Sequence, residues 1–203
     1  MNYELISTKY LRDNALRIKR FYEDNEKKFM INKTIIIYGS YSKKHPEGIR
    51  FLKYLQRRLR RKGYLNTYIV KDLGNRKLGI RLSKNLNENI RSLIRSIQSL
   101  CISDVPIFIF SEAILGYASG VVIELSLYSA LLTYMVDVPR PWYALVLINS
   151  NVWDHLSSLI KGIIELHKIP NRLYDSKEEA YEAIISHIDN VIYKMKQEII
   201  PFT

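Results

Sequence analysis

The feature that most constrains the fold is an alternation of short apolar runs with longer segments whose apolar residues recur at helical spacing. The runs at 34–38 (TIIIY) and 105–110 (VPIFIF) are continuous, as in strands that are buried on both faces of a sheet. The segment Ser83–Cys101 instead has apolar residues three and four positions apart, which indicates an amphipathic helix. Repeated alternation of strand and helix predicts a parallel sheet with right-handed crossovers.

This pattern predicts strand followed by helix five times. The predicted strands are Thr34–Tyr38, Leu65–Val70, Val105–Phe110, Trp142–Ile148 and Arg172–Tyr174. The predicted helices are Pro46–Lys62, Ser83–Cys101, Gly120–Met135, Val152–Leu166 and a last one that Ser176 caps and that ends near Ile199. We expect a doubly wound sheet of order 2-1-3-4-5. Its ligand should lie outside the carboxyl ends of the strands, where the order reverses.

The chain is expected to form one α/β domain over residues 1–203, with a helical extension at 1–30 and a doubly wound core at 33–200. Its 203 residues and 47% hydrophobic content allow a sizeable core and exclude a disordered chain. Cys101 is the one cysteine, so no intrachain disulfide can form, and a cytoplasmic location is expected. The longest apolar stretch contains Glu124 and Asp137. It is interpreted as a buried helix, and no membrane association is expected.

The net charge of +11 indicates an anionic partner, either nucleic acid, a phosphorylated small molecule or an anionic surface. Five basic residues crowd positions 57–62, at the end of a predicted helix, where positive charge also stabilises the helix dipole. No nucleic-acid-binding motif accompanies them, so a solvated face is favoured over a nucleic-acid surface. The histidines are scattered, and neither a metal site nor a cofactor is expected. The abundance of Ile, Tyr, Lys and Arg is typical of a thermophile.

Three loops at the expected functional edge carry polar residues. Gly39, Ser40 and Ser42 follow the first strand, where glycine allows a close approach of the backbone and the hydroxyls suit phosphate or ribose oxygens. Asp72 follows the second strand and is a candidate acceptor for ribose hydroxyls, or else a solvated loop carboxylate. Ser111 and Glu112 follow the third strand. Glu112 is a candidate second acid or a solvent-facing residue.

Glu124 is the strongest candidate for chemistry. It is the one carboxylate between Gly120 and Val136, and its helical neighbours Val121 and Tyr128 are apolar. Burial would raise the pKa of this carboxyl, whereas the nearby helix N-terminus would favour the ionised form. Such a group is a candidate nucleophile or general acid/base. The alternatives are a capping role, for which it is out of register, and a salt bridge to a basic neighbour.

Three motifs together resemble the nucleoside 2-deoxyribosyltransferase-like superfamily, to which TIR-type NAD-cleaving domains are related in architecture. They are YGSYS at 38–42, SDVPIFIF at 103–110 and SGVVIE at 119–124. The resemblance implies a flavodoxin-like nucleotide-binding domain. It also implies that Glu124, four residues after Gly120, attacks the anomeric carbon and forms a glycosyl-enzyme. The chain departs from the family at Ala118, where transferases carry an aspartate, and at Val121, where they usually carry threonine.

These observations predict a nucleoside- or nucleotide-binding domain that cleaves or transfers an N-glycosidic bond through Glu124, with Gly120 among the ligand-binding residues. The alternative is a non-catalytic module that senses a nucleotide or binds nucleic acid with its basic surface. The helix Gly120–Met135 is apolar nearly all round, which predicts a homodimer through this helix.

Overall fold

A computed structural model of the chain describes residues 32–41, 46–74, 87–111, 120–134 and 143–199. The strands are β1 (Ile35–Tyr38), β2 (Thr67–Ile69), β3 (Val105–Phe110), β4 (Leu145–Asn149) and β5 (Asn171–Tyr174). The helices are α1 (Pro46–Lys62), α2 (Glu88–Ile102), α3 (Gly120–Tyr134), α4 (Ser150–Trp153), α5 (Ser158–Leu166) and α6 (Lys177–Ile199). A short 3-10 helix, Val70–Asp72, follows β2. The predicted helical extension at 1–30 lies outside the described residues.

The five strands form one parallel sheet in the order β2-β1-β3-β4-β5. This confirms the predicted doubly wound, flavodoxin-like architecture and its strand order. β1 and β3 are central, and all their side chains are buried. Because the order reverses between these two strands, their carboxyl ends flank the crevice where ligands bind in such sheets.

Helices cover both faces of the sheet. Alternate strand residues point to opposite faces, so Ile35 and Ile37 pack with α1 and α6 on one side, while Ile36 and Tyr38 pack with α2, α3 and α5 on the other. A sheet covered on both sides needs apolar residues at every strand position, which explains the continuous runs in the sequence. Among the described residues, no helix is long and apolar enough to cross a bilayer.

Pro106 lies in the central strand β3, although proline cannot donate a ladder hydrogen bond. Its position explains why the strand tolerates it. The Val105 N–H donates to the Thr34 carbonyl, on the side of β1. Successive N–H groups of a strand point in opposite directions, so the nitrogen of Pro106 faces β4, where pairing begins only at Ile107. Proline therefore costs this sheet no ladder bond.

The ends of several elements match the sequence signals. Gly63 follows α1 with a φ of 114°, and the N–H of Tyr64 donates to the Leu59 carbonyl, which closes the helix in a Schellman motif. At α6, Ser176 Oγ accepts the Glu179 N–H at 3.1 Å, as predicted for its N-cap. Asp104 accepts hydrogen bonds from Lys33 Nζ and the Thr34 N–H, so it is a structural cap at the amino end of β3.

Several predicted elements have other bounds in the structure, and two of the differences have a local cause. The helix predicted at 152–166 is broken into α4 and α5, because Asn149 and Ser157 each cap a separate helix start. The second strand is shorter than predicted, since Thr67 Oγ1 bonds the Tyr64 carbonyl and holds residues 64–67 in a turn. Beyond β2, the chain enters the 3-10 helix at Val70 rather than continuing as a strand.

Contacts within one chain explain why the helix α3 is apolar nearly all round. α3 contacts α2 on one side, α5 on the other and the sheet beneath. Val121, Leu125 and Tyr128 are buried, whereas Ile123 is 53% exposed and Tyr134 is 85% exposed. The homodimer through this helix stays a prediction.

The two glycines singled out in the sequence should respond differently to alanine. A Cβ at Gly39 would lie 2.8 Å from Leu52 Cδ2, so Gly39→Ala should destabilise the protein by about 1–3 kcal/mol through overpacking. Among the described residues, a Cβ at Gly120 would meet nothing within 4 Å, so Gly120→Ala should change stability by no more than about 0.5 kcal/mol. Urea denaturation of both variants measures this, and equal effects would contradict the packing role of Gly39.

Candidate functional site

The predicted functional edge is where the carboxyl ends of the strands meet. Gly39 and Ser40 directly follow β1, and Ser111 directly follows β3, so the two loops flank the point of order reversal. Ser40 is buried and Ser111 is half-buried. Helix α3 begins at Gly120 at this same edge, because it follows the carboxyl end of β3. Ser42 and Glu112 lie outside the described residues.

Glu124 lies on the buried face of α3, although it is the one acid of that helix. Its side chain is only 3% exposed, and it is flanked on the helix by the buried residues Val121, Leu125 and Tyr128. The neighbouring helix α2 supplies its hydrogen bond, because Ser96 Oγ donates to Glu124 Oε1 at 3.0 Å. Among the described residues, Glu124 Oε2 is buried and has no hydrogen-bond partner. Half of the carboxyl group is therefore available for another donor or acceptor.

Burial raises the pKa of Glu124 to about 7, and the hydrogen bond from Ser96 lowers it by a smaller amount. The sequence predicted this rise. The expected opposing influence of the helix N-terminus is weak, since Glu124 is the fifth residue of α3 and the dipole effect fades beyond the first turn. Within the described chain, no salt bridge to Glu124 is present, and its partner is a hydroxyl. The ion-pair alternative therefore has no support from these residues.

Two tyrosines lie near Glu124. Tyr38 is the last residue of β1, and Tyr41 follows three residues later. Burial raises the pKa of Tyr38 well above its usual value, and the nearby Glu124 carboxylate raises it further. The pKa of Tyr41 is raised by the same two causes. Tyr38 Oη lies 3.2 Å from Ser99 Oγ, one helical turn from Ser96 on α2. Ser96 and Ser99, on neighbouring turns of α2, therefore join this helix to Glu124 of α3 and to Tyr38 of β1.

Sequence reasoning did not single out Tyr38, Tyr41, Ser96 or Ser99. Tyr41 holds the carboxyl ends of two strands together, because its hydroxyl donates to the Ile37 carbonyl at 3.0 Å and accepts the Val70 N–H at 3.2 Å. The available signal was the YGSYS motif, which was interpreted through its glycine and serines rather than its tyrosines. Ser96 could be found only from the packing of α2 on α3.

The other predicted site residues differ in their packing and exposure. Gly39 packs tightly against Leu52 of α1, which is a structural reason for glycine at this position. Gly120 is exposed at the start of α3 with open space around it. Asp72 is exposed at the end of the 3-10 helix, as in the solvated alternative. The structure thus brings Gly39, Ser40, Ser111 and Gly120 to one edge.

An open cleft of about 450 Å³ lies at the same edge, on the face covered by α1 and α6. Ser111 and Asn149 line it at the ends of β3 and β4. Its lining also contains the cations Arg50 and Lys177 and the carboxylates Glu47 and Asp175. Its size is within the range of small-molecule sites. Glu124 lies beneath the opposite face of the sheet, with α2 and α3. Of the predicted residues that are described, Ser111 lines this cleft.

The basic run on α1 has partners within the protein. The guanidinium of Arg58 stacks 4.3 Å from the centroid of the Tyr181 ring and bonds to the Tyr54 hydroxyl. Arg60 Nε donates to the Thr67 carbonyl at 2.9 Å. These contacts join α1 to α6 and to β2, which gives Arg58 and Arg60 a structural role, whereas Arg61 and Lys62 are exposed.

No protein-family model matches the sequence, and no curated protein matches it. Among solved structures, the chain is similar to the structure of Clostridium botulinum CMP N-glycosidase, BcmB. The two share 14% sequence identity with a TM-score of 0.49, and the alignment covers 76% of this chain and 99% of that chain. What this chain does must be inferred from its own residues and their geometry.

The raised pKa of Glu124 predicts a specific pH dependence of stability. A carboxyl whose pKa is higher in the folded than in the unfolded state binds more protons when folded, so stability falls as the pH rises from about 4.3 to about 7. Glu124→Gln removes this titration. Between pH 5 and pH 8, the parent should lose stability relative to Glu124→Gln, by on the order of 3 kcal/mol at most.

Guanidinium denaturation at both pH values measures this difference. Glu165→Gln, which removes an exposed carboxyl of α5, is the matched control and should follow the parent. If the curves of the parent and Glu124→Gln stay parallel from pH 5 to pH 8, the shift in the pKa of Glu124 is refuted.

Proposed function

We propose that this protein binds a nucleoside or nucleotide and cleaves its N-glycosidic bond, with Glu124 as the acting carboxylate. The observation that carries the proposal is a carboxyl that is 3% exposed and has a pKa raised to about 7, on the helix that begins at the carboxyl edge of a doubly wound sheet, where such sheets bind ligands. The proposal is further supported by Glu124 Oε2, which has no hydrogen-bond partner among the described residues. A structural role would be served better by an apolar residue, which would avoid the cost of burying a carboxyl.

A pKa near 7 suits general acid–base chemistry, because both protonation states are populated at neutral pH. In the protonated state, Glu124 gives its proton to a ring nitrogen of the base as the bond between the anomeric carbon and the base breaks. The resulting carboxylate then takes a proton from a water molecule, whose oxygen bonds to the anomeric carbon. The products are free base and sugar, one water is consumed, and Glu124 is protonated again.

This sequence of steps needs only one carboxyl, which fits the absence of an acid at Ala118. The resembled transferases instead use an ionised glutamate as nucleophile, form a glycosyl-enzyme and rely on an aspartate at the position of Ala118 to help protonate the base. Hydrolysis by Glu124 is therefore favoured over transfer. For the transferase route, the ionised fraction at neutral pH would still be sufficient for attack.

The proposed ligand contacts follow from the position of each residue at the carboxyl edge of the sheet. Gly39, Ser40 and Ser42 would contact the sugar or phosphate, Asp72 would accept from hydroxyls, and Gly120 would allow close approach at the start of α3. Ser111 and Glu112 would complete the site after β3.

A second candidate is a non-catalytic nucleotide-sensing module. The observation that favours it is the bond between Ser96 Oγ and Glu124 Oε1, which, with burial, gives the carboxyl a structural partner. In that case the cleft would bind the nucleotide without bond cleavage. The contacts of Arg58 and Arg60 favour both of these functions over nucleic-acid binding.

Substitution of Glu124 distinguishes the two functions. Glu124→Gln should abolish release of free base from a panel of nucleosides, nucleoside 5′-monophosphates and NAD, because an amide neither attacks nor transfers a proton. Glu165→Gln should keep full activity. Chromatography of free base, with circular dichroism to verify folding, gives the measurement. Unchanged base release in Glu124→Gln would refute the proposal, whereas nucleotide binding by a parent without base release would favour the sensing module.

Ser96→Ala adds a test that does not depend on loss of activity. Because the Ser96 hydrogen bond lowers the pKa of Glu124, its removal should raise that pKa further. The midpoint of the pH–activity profile that Glu124 governs should therefore move to higher pH. An unchanged midpoint would show that another group controls the profile.

A further inference from the structure

A second pocket lies at the opposite end of the sheet, beside the amino ends of β4 and β5. It measures about 440 Å³. Its walls come from β5, from the chain that leads into it and from one side of α6, and its lining comprises Leu145, Pro170, Asn171, Arg172, Ala183, Ser186, His187, Asn190, Val191 and Lys194. Because the strands run from this end to the other, the pocket is separate from the edge that holds Ser111 and Glu124.

The polar lining of this pocket is basic. Arg172 and Lys194 bring positive charge from β5 and α6, and the described lining contains no carboxylate. Asn171, Ser186 and Asn190 add side chains that can donate hydrogen bonds. Such a set of donors around a concave site matches a ligand with several anionic oxygens.

His187 also lines this pocket and is 7% exposed. Its Nε2 lies 3.0 Å from the Tyr143 carbonyl, which can only accept, so Nε2 carries the proton in the neutral ring. The remaining ring nitrogen, Nδ1, is then an acceptor that becomes a donor on protonation. Burial lowers the pKa of His187, the Tyr143 hydrogen bond raises it, and the charges of Lys194 and Arg172 lower it further. The ring and the two cations are therefore close neighbours.

We propose that this pocket binds a small phosphate-bearing ligand between Arg172, Lys194 and His187. A phosphate is complementary in charge to Arg172 and Lys194. Its oxygens accept hydrogen bonds from both side chains, and from His187 once its ring is protonated. The apolar residues Leu145 and Val191 give the non-phosphate part of the ligand a surface to pack on. A volume of about 440 Å³ suits a nucleotide-sized molecule.

Inorganic phosphate and AMP are the probes for the full-length chain. Both should bind saturably by calorimetry, and both should shift the ring signals of His187 in a nitrogen-detected NMR titration. Arg172→Gln and Lys194→Gln should each weaken binding about tenfold or more, as expected for loss of a hydrogen bond to a charged group. The matched control is Lys53→Gln, which removes one exposed positive charge from α1 and should bind as the parent does.

Glu124→Gln separates this pocket from the proposed nucleotide-cleaving site. Phosphate binding and the His187 shifts should persist in that variant, whatever happens to base release. Three results would overturn the proposal: no saturable binding of either probe, equal weakening by Lys53→Gln and Arg172→Gln, or AMP binding that leaves the His187 signals unmoved. Binding of an oligonucleotide that phosphate does not displace would likewise overturn it and assign the basic surface to nucleic acid.

Discussion

The structure depends on two central strands, β1 and β3, whose side chains are all buried. A parallel sheet of this kind is stable only when helices cover both of its faces. On one face, α3 is pressed against the sheet between α2 and α5. This packing buries one face of α3, and Glu124 is buried on that face together with Val121, Leu125 and Tyr128. The position of the acid is thus a consequence of how the sheet is covered.

Removing a carboxyl from water has an energetic cost that the described partners offset only in part. Ser96 supplies one hydrogen bond to Oε1, and the rest of the cost is reflected in the pKa of about 7. The protein therefore keeps a group that is half-ionised at neutral pH among tyrosines whose own ionisation it disfavours. Residues arranged at the expense of stability are typical of functional sites.

The sequence was most informative where a pattern has one structural solution. The run IIIY of β1 fits a strand buried on both faces, as observed, and Ser176 marked the start of the last helix correctly. The break between α4 and α5 was missed because the apolar spacing continues through it while the caps act locally.

For the site, the burial of Glu124 and its raised pKa followed from the apolar helix around it. Its partner Ser96 did not, because that contact joins two helices whose relative rotation is set by packing. Gly39 also has a role that the sequence did not indicate. Close approach of a ligand stays a prediction for this glycine, and the structure adds a packing reason, because a Cβ there would lie 2.8 Å from Leu52 Cδ2.

The fold also separates two kinds of polar site at opposite ends of the same strands. The helix α3, which begins at the carboxyl ends, carries the buried carboxyl of Glu124. At the amino ends, His187 lies with two cations, and the described pocket lining contains no carboxylate. The proposed function depends on the protonation of Glu124. The most direct measurement is a carbon-13 NMR titration of its labelled carboxyl, assigned by the signal that Glu124→Gln removes. A midpoint near pH 7 is the predicted result, and a midpoint near the ordinary glutamate value of about 4.3 would contradict it.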